Sequence, residues 1–126
     1  MIFSADAGMA MTVNKQTVDR YMDGFRTTDR LQILSCLTDD VEWLIPGGFH
    51  ASGKNEFGQH IQDKGFVGSP AITVTRLTEE DDVVVAEGTV RTRRTDGAIV
   101  NLAMCDVFEM REGKIRRLTS YLMETK

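Results

Sequence analysis

Apolar residues at Val18, Tyr21, Met22 and Phe25 fall at i, i+3, i+4 and i+7, which puts them on one helical stripe. Lys15, Asp19, Arg20 and Asp23 take the other faces. The spacing predicts a helix from Asn14 to the break at Thr27-Thr28-Asp29, weakened at Gly24. Asp29 is a good N-cap, and Gln32 three residues on completes a capping-box-like pair for a second helix. Its expected buried face is Leu31, Leu34 and Leu37, with Ile33 beside them; Thr38-Asp39-Asp40 then breaks the pattern. A short β-rich run over 41–45 stops at Pro46-Gly47-Gly48. Ser52 is placed to cap a third, shorter helix containing Glu56, Phe57, His60 and Ile61.

Past Gly65 and Gly68 the period changes from helix to strand. Strands are expected over 71–78, 82–95, 98–111 and 114–124, with turns at Glu79-Glu80-Asp81, Asp96-Gly97 and Glu112-Gly113. The order is two helices, a strand, a helix and a meander of long strands. It predicts an α+β fold in which helices cover one face of a curved antiparallel sheet. Residues 1–13 lack periodicity and read as a loose leader, with 14–126 as one domain.

The third long strand carries the most informative residue. Val100, Leu102, Met104, Asp106, Phe108 and Met110 share one face, and Asn101, Ala103, Cys105, Val107 and Glu109 the other. The first set is the better core face, yet Asp106 sits in its middle. A carboxylate among Met, Leu and Phe must be paired, protonated or facing a polar cavity, unless the strand twists there and brings it to water. A two-residue loop at Asp96-Gly97 would pair Thr95 with Ala98 and bring Glu87 opposite Asp106, Thr89 opposite Met104 and Arg91 opposite Leu102. Two inward carboxylates side by side cannot both ionise cheaply, which would make Glu87 and Asp106 an acid/base pair. In that register an apolar outer face of Val84, Ala86, Val90, Ala103 and Val107 would be free to meet a second copy.

Composition narrows the classes. The chain has 126 residues with 19 acidic and 15 basic side chains, a net charge of −4. That length fits one domain, and the acidic balance without a Lys/Arg run argues against nucleic acid as partner. No apolar stretch reaches the length of a membrane span, and the start lacks the basic region of a secretory signal. Cys36 and Cys105 read as two reduced thiols of a cytoplasmic protein. His50 and His60 lack metal-ligand spacing and read as surface or loop residues, and no phosphate or dinucleotide fingerprint is present, so neither metal nor cofactor is expected.

Four segments carry a family resemblance. They are Val18-Asp19-Arg20-Tyr21-Met22-Asp23-Gly24-Phe25, Leu37-Thr38-Asp39-Asp40-Val41-Glu42-Trp43, Pro46-Gly47 through Gly53-Lys54, and Cys105-Asp106-Val107-Phe108 through Ile115. In order and spacing the chain resembles the nuclear transport factor 2-like superfamily, and within it the SnoaL-like polyketide cyclase and ketosteroid isomerase branch. The resemblance implies a cone-shaped α+β barrel with a deep apolar pocket and frequent homodimers, for which the apolar outer sheet face would be the interface. It also implies roles: Tyr21 matches the isomerase's oxyanion-hole tyrosine, and Asp106 its second donor, an aspartic acid kept neutral by apolar surroundings. The isomerase's base precedes a proline; here Ile45 precedes Pro46, so that base is missing and Glu87 is the replacement candidate. The Asp-Arg-Asp set of the related limonene epoxide hydrolases aligns with Glu87, Thr89 and Met123, which speaks against that chemistry.

The expected pocket wall is Trp43, Ile45, Leu102, Met104 and Phe108, with Arg91 as a further ligand contact. The expected activity is binding of a small apolar or cyclic molecule, with cofactor-free isomerase- or cyclase-type acid/base chemistry at a carbonyl carried by Asp106, Tyr21 and Glu87. The alternative is a ligand-binding or dimerising module without catalysis.

Overall fold

Thr12 begins the first helix by accepting the Lys15 amide on its hydroxyl at 3.1 Å, which satisfies one of the free N–H groups of the first turn. The computed structural model describes residues 11–62 and 64–125, so most of the expected leader lies outside the described residues. Helix α1 (Val13–Arg26) buries Val18, Tyr21 and Met22, as the spacing predicts. Gly24 has a packing reason: a Cβ there would stand 2.7 Å from Ile33 Cγ1, so α2 could not lie as close. Asp29 caps α2 (Arg30–Ser35) by accepting the Gln32 amide. This helix is only six residues long, and its buried face differs from the expected one. Ile33 is buried, Leu31 is 80% exposed, and Leu37 already belongs to the next strand.

Strand β1 (Leu37–Ile45) begins earlier than its apolar run because Thr38, Asp39 and Asp40 are accommodated at a register irregularity, where Asp40 pairs with Arg111 at 2.6 Å. The Pro46-Gly47-Gly48 stop is a hairpin turn, leading into β2 (Phe49–Ser52), which had no strand signal of its own. Helix α3 (Gly53–Gln59) follows, with the Ser52 amide donating to Glu56 at 2.8 Å. The remaining strands are β3 (Phe66–Glu80), β4 (Val83–Arg94), β5 (Ile99–Arg111) and β6 (Lys114–Thr125).

Among the described residues, six strands form one curved sheet in the order β2-β1-β6-β5-β4-β3. It is mixed rather than wholly antiparallel, because β1 runs parallel to β6. The helices lie on the inner face, where Tyr21 meets both Phe57 and Phe108 edge to face and Trp43 stacks on Phe57 at 4.5 Å. Among the described residues no helix is long and apolar enough to cross a membrane.

The β4–β5 hairpin differs from the expected one by a single residue. Arg94 and Ala98 close a three-residue loop, with the Gly97 amide donating to Arg94 O at 2.9 Å and Gly97 at φ +92°. A three-residue loop ending on a left-handed glycine is the next commonest hairpin after the two-residue turn. The extra residue shifts the whole ladder, so Ala86, not Glu87, lies opposite Asp106.

Candidate functional site

The inner face of β5 alternates as its sequence predicts, with Val100, Met104, Asp106, Phe108 and Met110 all buried. Asp106 has Ala86 as its cross-strand neighbour on β4 and Ser120 on β6. Ala86 offers only a methyl group, so the polar side chain next to the carboxyl across the ladder is on the β6 side. There Ser120 stands directly across from Asp106, and the Trp43 indole N–H donates to Ser120 Oγ at 3.1 Å. Oδ1 of the Asp106 carboxyl is buried without a hydrogen-bond partner.

Above this face runs α1. Tyr21, Met22 and Phe25 roof a cavity of about 150 Å³ whose floor includes Leu102, Met104, Asp106 and Ser120. Pro70, Ile72 and Val90 form its side wall. The wall is apolar except at Asp106, Ser120 and the tips of Tyr21 and Trp43.

Burial sets the electrostatics. With almost no water to solvate a charge, the Asp106 carboxyl is pushed up to about 7, and the Ser120 hydrogen bond only partly offsets this. Tyr21 is held well above its ordinary value, first by burial and then by the Asp106 and Cys36 charges beside it. Below neutral pH both groups are therefore protonated and can donate. An unpaired acid in an apolar cavity beside a phenol is the kind of arrangement that marks a functional site.

Residues 18–118 match the family model of the SnoaL-like domain. The chain belongs to the SnoaL-like domain family. Its fold is shared by the crystal structure of TerC with polyporic acid (24% identity, TM-score 0.78), over 86% of this chain and 90% of that one. It is also shared by an NTF2-like protein of unknown function from Burkholderia pseudomallei (22% identity, TM-score 0.80, 90% and 92% covered). A third likeness is a hypothetical protein with a ketosteroid isomerase-like fold from Catenulispora acidiphila in complex with trimethylamine (13% identity, TM-score 0.77, 84% of each chain covered). No curated protein matches the sequence.

Several expected site residues of this SnoaL-like chain line the cavity together: Tyr21, Trp43, Leu102, Met104 and Asp106. Phe108 is fully buried behind them, with its ring 5.4 Å from that of Tyr21, and supports the phenol without reaching the cavity. Ile45 packs against the core but borders a different groove, beside Pro46 and Met123.

Glu87 is the clearest correction. It stands on the outer face, where Arg76 binds it through Nε at 2.6 Å and Nη2 at 3.0 Å. That pairing holds its carboxyl below the usual range, the reverse of a raised acid. Arg91 is exposed on the same face opposite Asn101, so it is no ligand contact. Thr89 and Met123 are also exposed, with Ala103 as the β5 partner of both, so the positions aligned with the epoxide hydrolase set say nothing about the cavity. The expected apolar outer face fails for the same reason: Val84 and Ala86 are core residues, and Val90 faces the cavity. Glu87→Gln is accordingly expected to leave the Asp106 titration midpoint unmoved, as measured by carbon-13 NMR of the aspartate carboxyls.

Sequence reasoning missed Ser120, together with Phe25, Ile72 and Val90 as wall residues. Ser120 had one available signal, the cross-strand partner of Asp106. A bulge between Glu109 and Met110 conceals it, since regular pairing from the Arg111–Lys114 turn would place Thr119 opposite Asp106.

Proposed function

We propose that this SnoaL-like chain binds a small cyclic carbonyl compound in the α1-roofed cavity and promotes its enolisation without a cofactor. The observation that carries this reading is the buried Asp106 carboxyl in the lining of an otherwise apolar cavity that Tyr21 also lines. A buried polar group left unpaired costs about 1–3 kcal/mol, and a ligand that hydrogen-bonds the Asp106 carboxyl recovers that energy. A void of about 150 Å³ is the size that holds one benzene ring when engineered into a protein core. A single ring with one polar oxygen therefore fits better than a fused polycycle. The binding of polyporic acid by TerC and of trimethylamine by the Catenulispora protein supports small-molecule binding in this architecture.

In the proposed reaction the ligand carbonyl accepts hydrogen bonds from neutral Asp106 and Tyr21. As an α-proton leaves to solvent water, the electron pair of that C–H bond becomes the C=C bond of the enolate and the carbonyl π pair moves onto the oxygen. Each donor aimed at the developing oxyanion is worth roughly 3–4 kcal/mol. A second reading, binding without reaction, is favoured by one observation: among the described residues Asp106 is the sole carboxylate lining the cavity.

Cyclohexanone distinguishes them. Saturable binding together with deuterium exchange at its α-carbons, followed by proton NMR, is the result expected for enolisation; saturable binding without exchange supports the second reading. Val90→Phe, which fills the side wall, is expected to reduce binding at least tenfold. Affinity unchanged in that variant would remove the cavity from both.

A further inference from the structure

A second cavity of about 170 Å³ lies against the one that α1 roofs, and Phe25, Pro70, Val90 and Leu102 line both. Four elements step from the first space into the second in the same direction. Along α1 the lining passes from Tyr21 through Phe25 to Thr28, the spacing of one helical face. Along β5 it passes from Asp106 through Met104 to Leu102, and along β4 from Val90 to Thr92, every second residue of the inner face. Along β3 it passes from Ile72 through Pro70 to Gly68. The two spaces therefore lie end to end, with buried Asp106 near one end and exposed Gln62 at the other. Asp106 and Leu102 are separated by roughly 13 Å of extended strand, which is longer than a single six-membered ring.

The second space has a local cause in β3. Between the Val67–Arg93 and Ala71–Arg91 pairs, β4 supplies one residue, Thr92, while β3 supplies Gly68, Ser69 and Pro70. Gly68 takes φ +73°, and Pro70 has no N–H to give to the ladder. The surplus residues bow β3 away from Thr92, which a strand at the sheet edge can do without disturbing a further neighbour. A hydrogen bond between the Ser69 and Thr28 hydroxyls ties the bow to the end of α1. Among the described residues the lining of this space carries no charged side chain. We propose that it is a tail subsite, so that the ligand is a single-ring ketone with a short unbranched alkyl chain opposite its carbonyl. The ring lies beside Asp106 and Tyr21, and the chain runs past Val90 and Leu102 toward Thr92. This deepens the proposed function and rests on its placing of the carbonyl at Asp106.

Calorimetric titration of the full chain with cyclohexanone and its 4-methyl, 4-ethyl, 4-propyl and 4-butyl derivatives tests this. Burial of each added methylene is expected to tighten binding roughly threefold to fourfold, about thirtyfold or more from methyl to butyl. Thr92→Phe, which fills the second space from β4, is expected to bring the ratio of butyl to unsubstituted affinity back to near one. A gain of less than about fivefold across the wild-type series, with cyclohexanone itself bound, overturns the tail subsite and leaves the proposed function standing. A folded Thr92→Phe that keeps the full gain also overturns it; should that variant not fold, the wild-type series decides. A full chain-length gain without deuterium exchange at the α-carbons supports the subsite and counts against enolisation alone. Absence of binding throughout the series overturns both.

Discussion

Gly88→Ala is expected to destabilise the fold by about 3 kcal/mol or more, lowering Tm on the order of 10 °C or preventing soluble expression. Gly88 lies on β4 opposite Val74, beside a register shift that leaves Thr75 as an extra residue on β3. The bulge presses the β3 backbone into the space a side chain at 88 would need. A Cβ there would stand 1.9 Å from the Thr73 carbonyl oxygen and 3.0 Å from the Val74 Cα. These are backbone atoms, with no rotamer to turn aside, so the two strands would have to separate at this point. The same bulge sets the aim of β3 as it carries Ile72 to the cavity wall, so ligand binding should fall with stability. Thermal denaturation checks this; a Tm within about 2 °C of wild type would show that the strands yield more easily than their spacing implies.

Asp106→Asn is expected to change the sign of its effect with pH. Folding raises this carboxyl from an ordinary 3.8 to about 7, so between those values the folded state holds a proton that the unfolded chain has lost. Stability is undiminished by this group below the lower value and declines as pH rises toward the upper one. Three units correspond to about 4 kcal/mol once the group is charged in the fold. Asparagine cannot ionise and loses that slope. Its amide meets the same unpaired pocket, however, so below pH 5 the variant should be the less stable of the two. Above pH 8 it should be the more stable. Urea denaturation at pH 5 and pH 8.5 reads this crossover. Asp40 and Glu87, whose carboxyls are held low by Arg111 and Arg76, act oppositely and in a more acidic range. They do not obscure the window. Parallel pH profiles for the two proteins would contradict the buried, neutral acid.

How much of this was legible in the sequence follows from what each feature depends on. The α1 stripe and the β5 alternation were readable because each depends on the periodicity of a single segment, and together they supplied Tyr21, Leu102, Met104 and Asp106. Pairing between strands was not readable, because it depends on counting loop residues that the chain can count in two ways. At Asp96-Gly97 a three-residue loop replaces the two-residue one, and that single step moves Glu87 from the cavity to the outer face. At Glu109 a bulge moves the opposite strand by one and brings Ser120, not Thr119, to Asp106. Strand β2 is only four residues long and has no alternation to detect; it exists because the Pro46-Gly47-Gly48 turn folds it back on β1. Leu31 misled for a simpler reason: α2 ends before its apolar repeat can matter.

The central claim is that a neutral Asp106 donates to a ligand in an apolar cavity, and the pH dependence of cyclohexanone affinity tests it most directly, read through the single tryptophan, Trp43. The predicted dissociation constant is flat below about pH 6 and rises tenfold per unit above the Asp106 midpoint near 7, with the step absent in Asp106→Asn. Saturable binding with the same affinity from pH 5 to pH 9, or no saturable response at all, would contradict it.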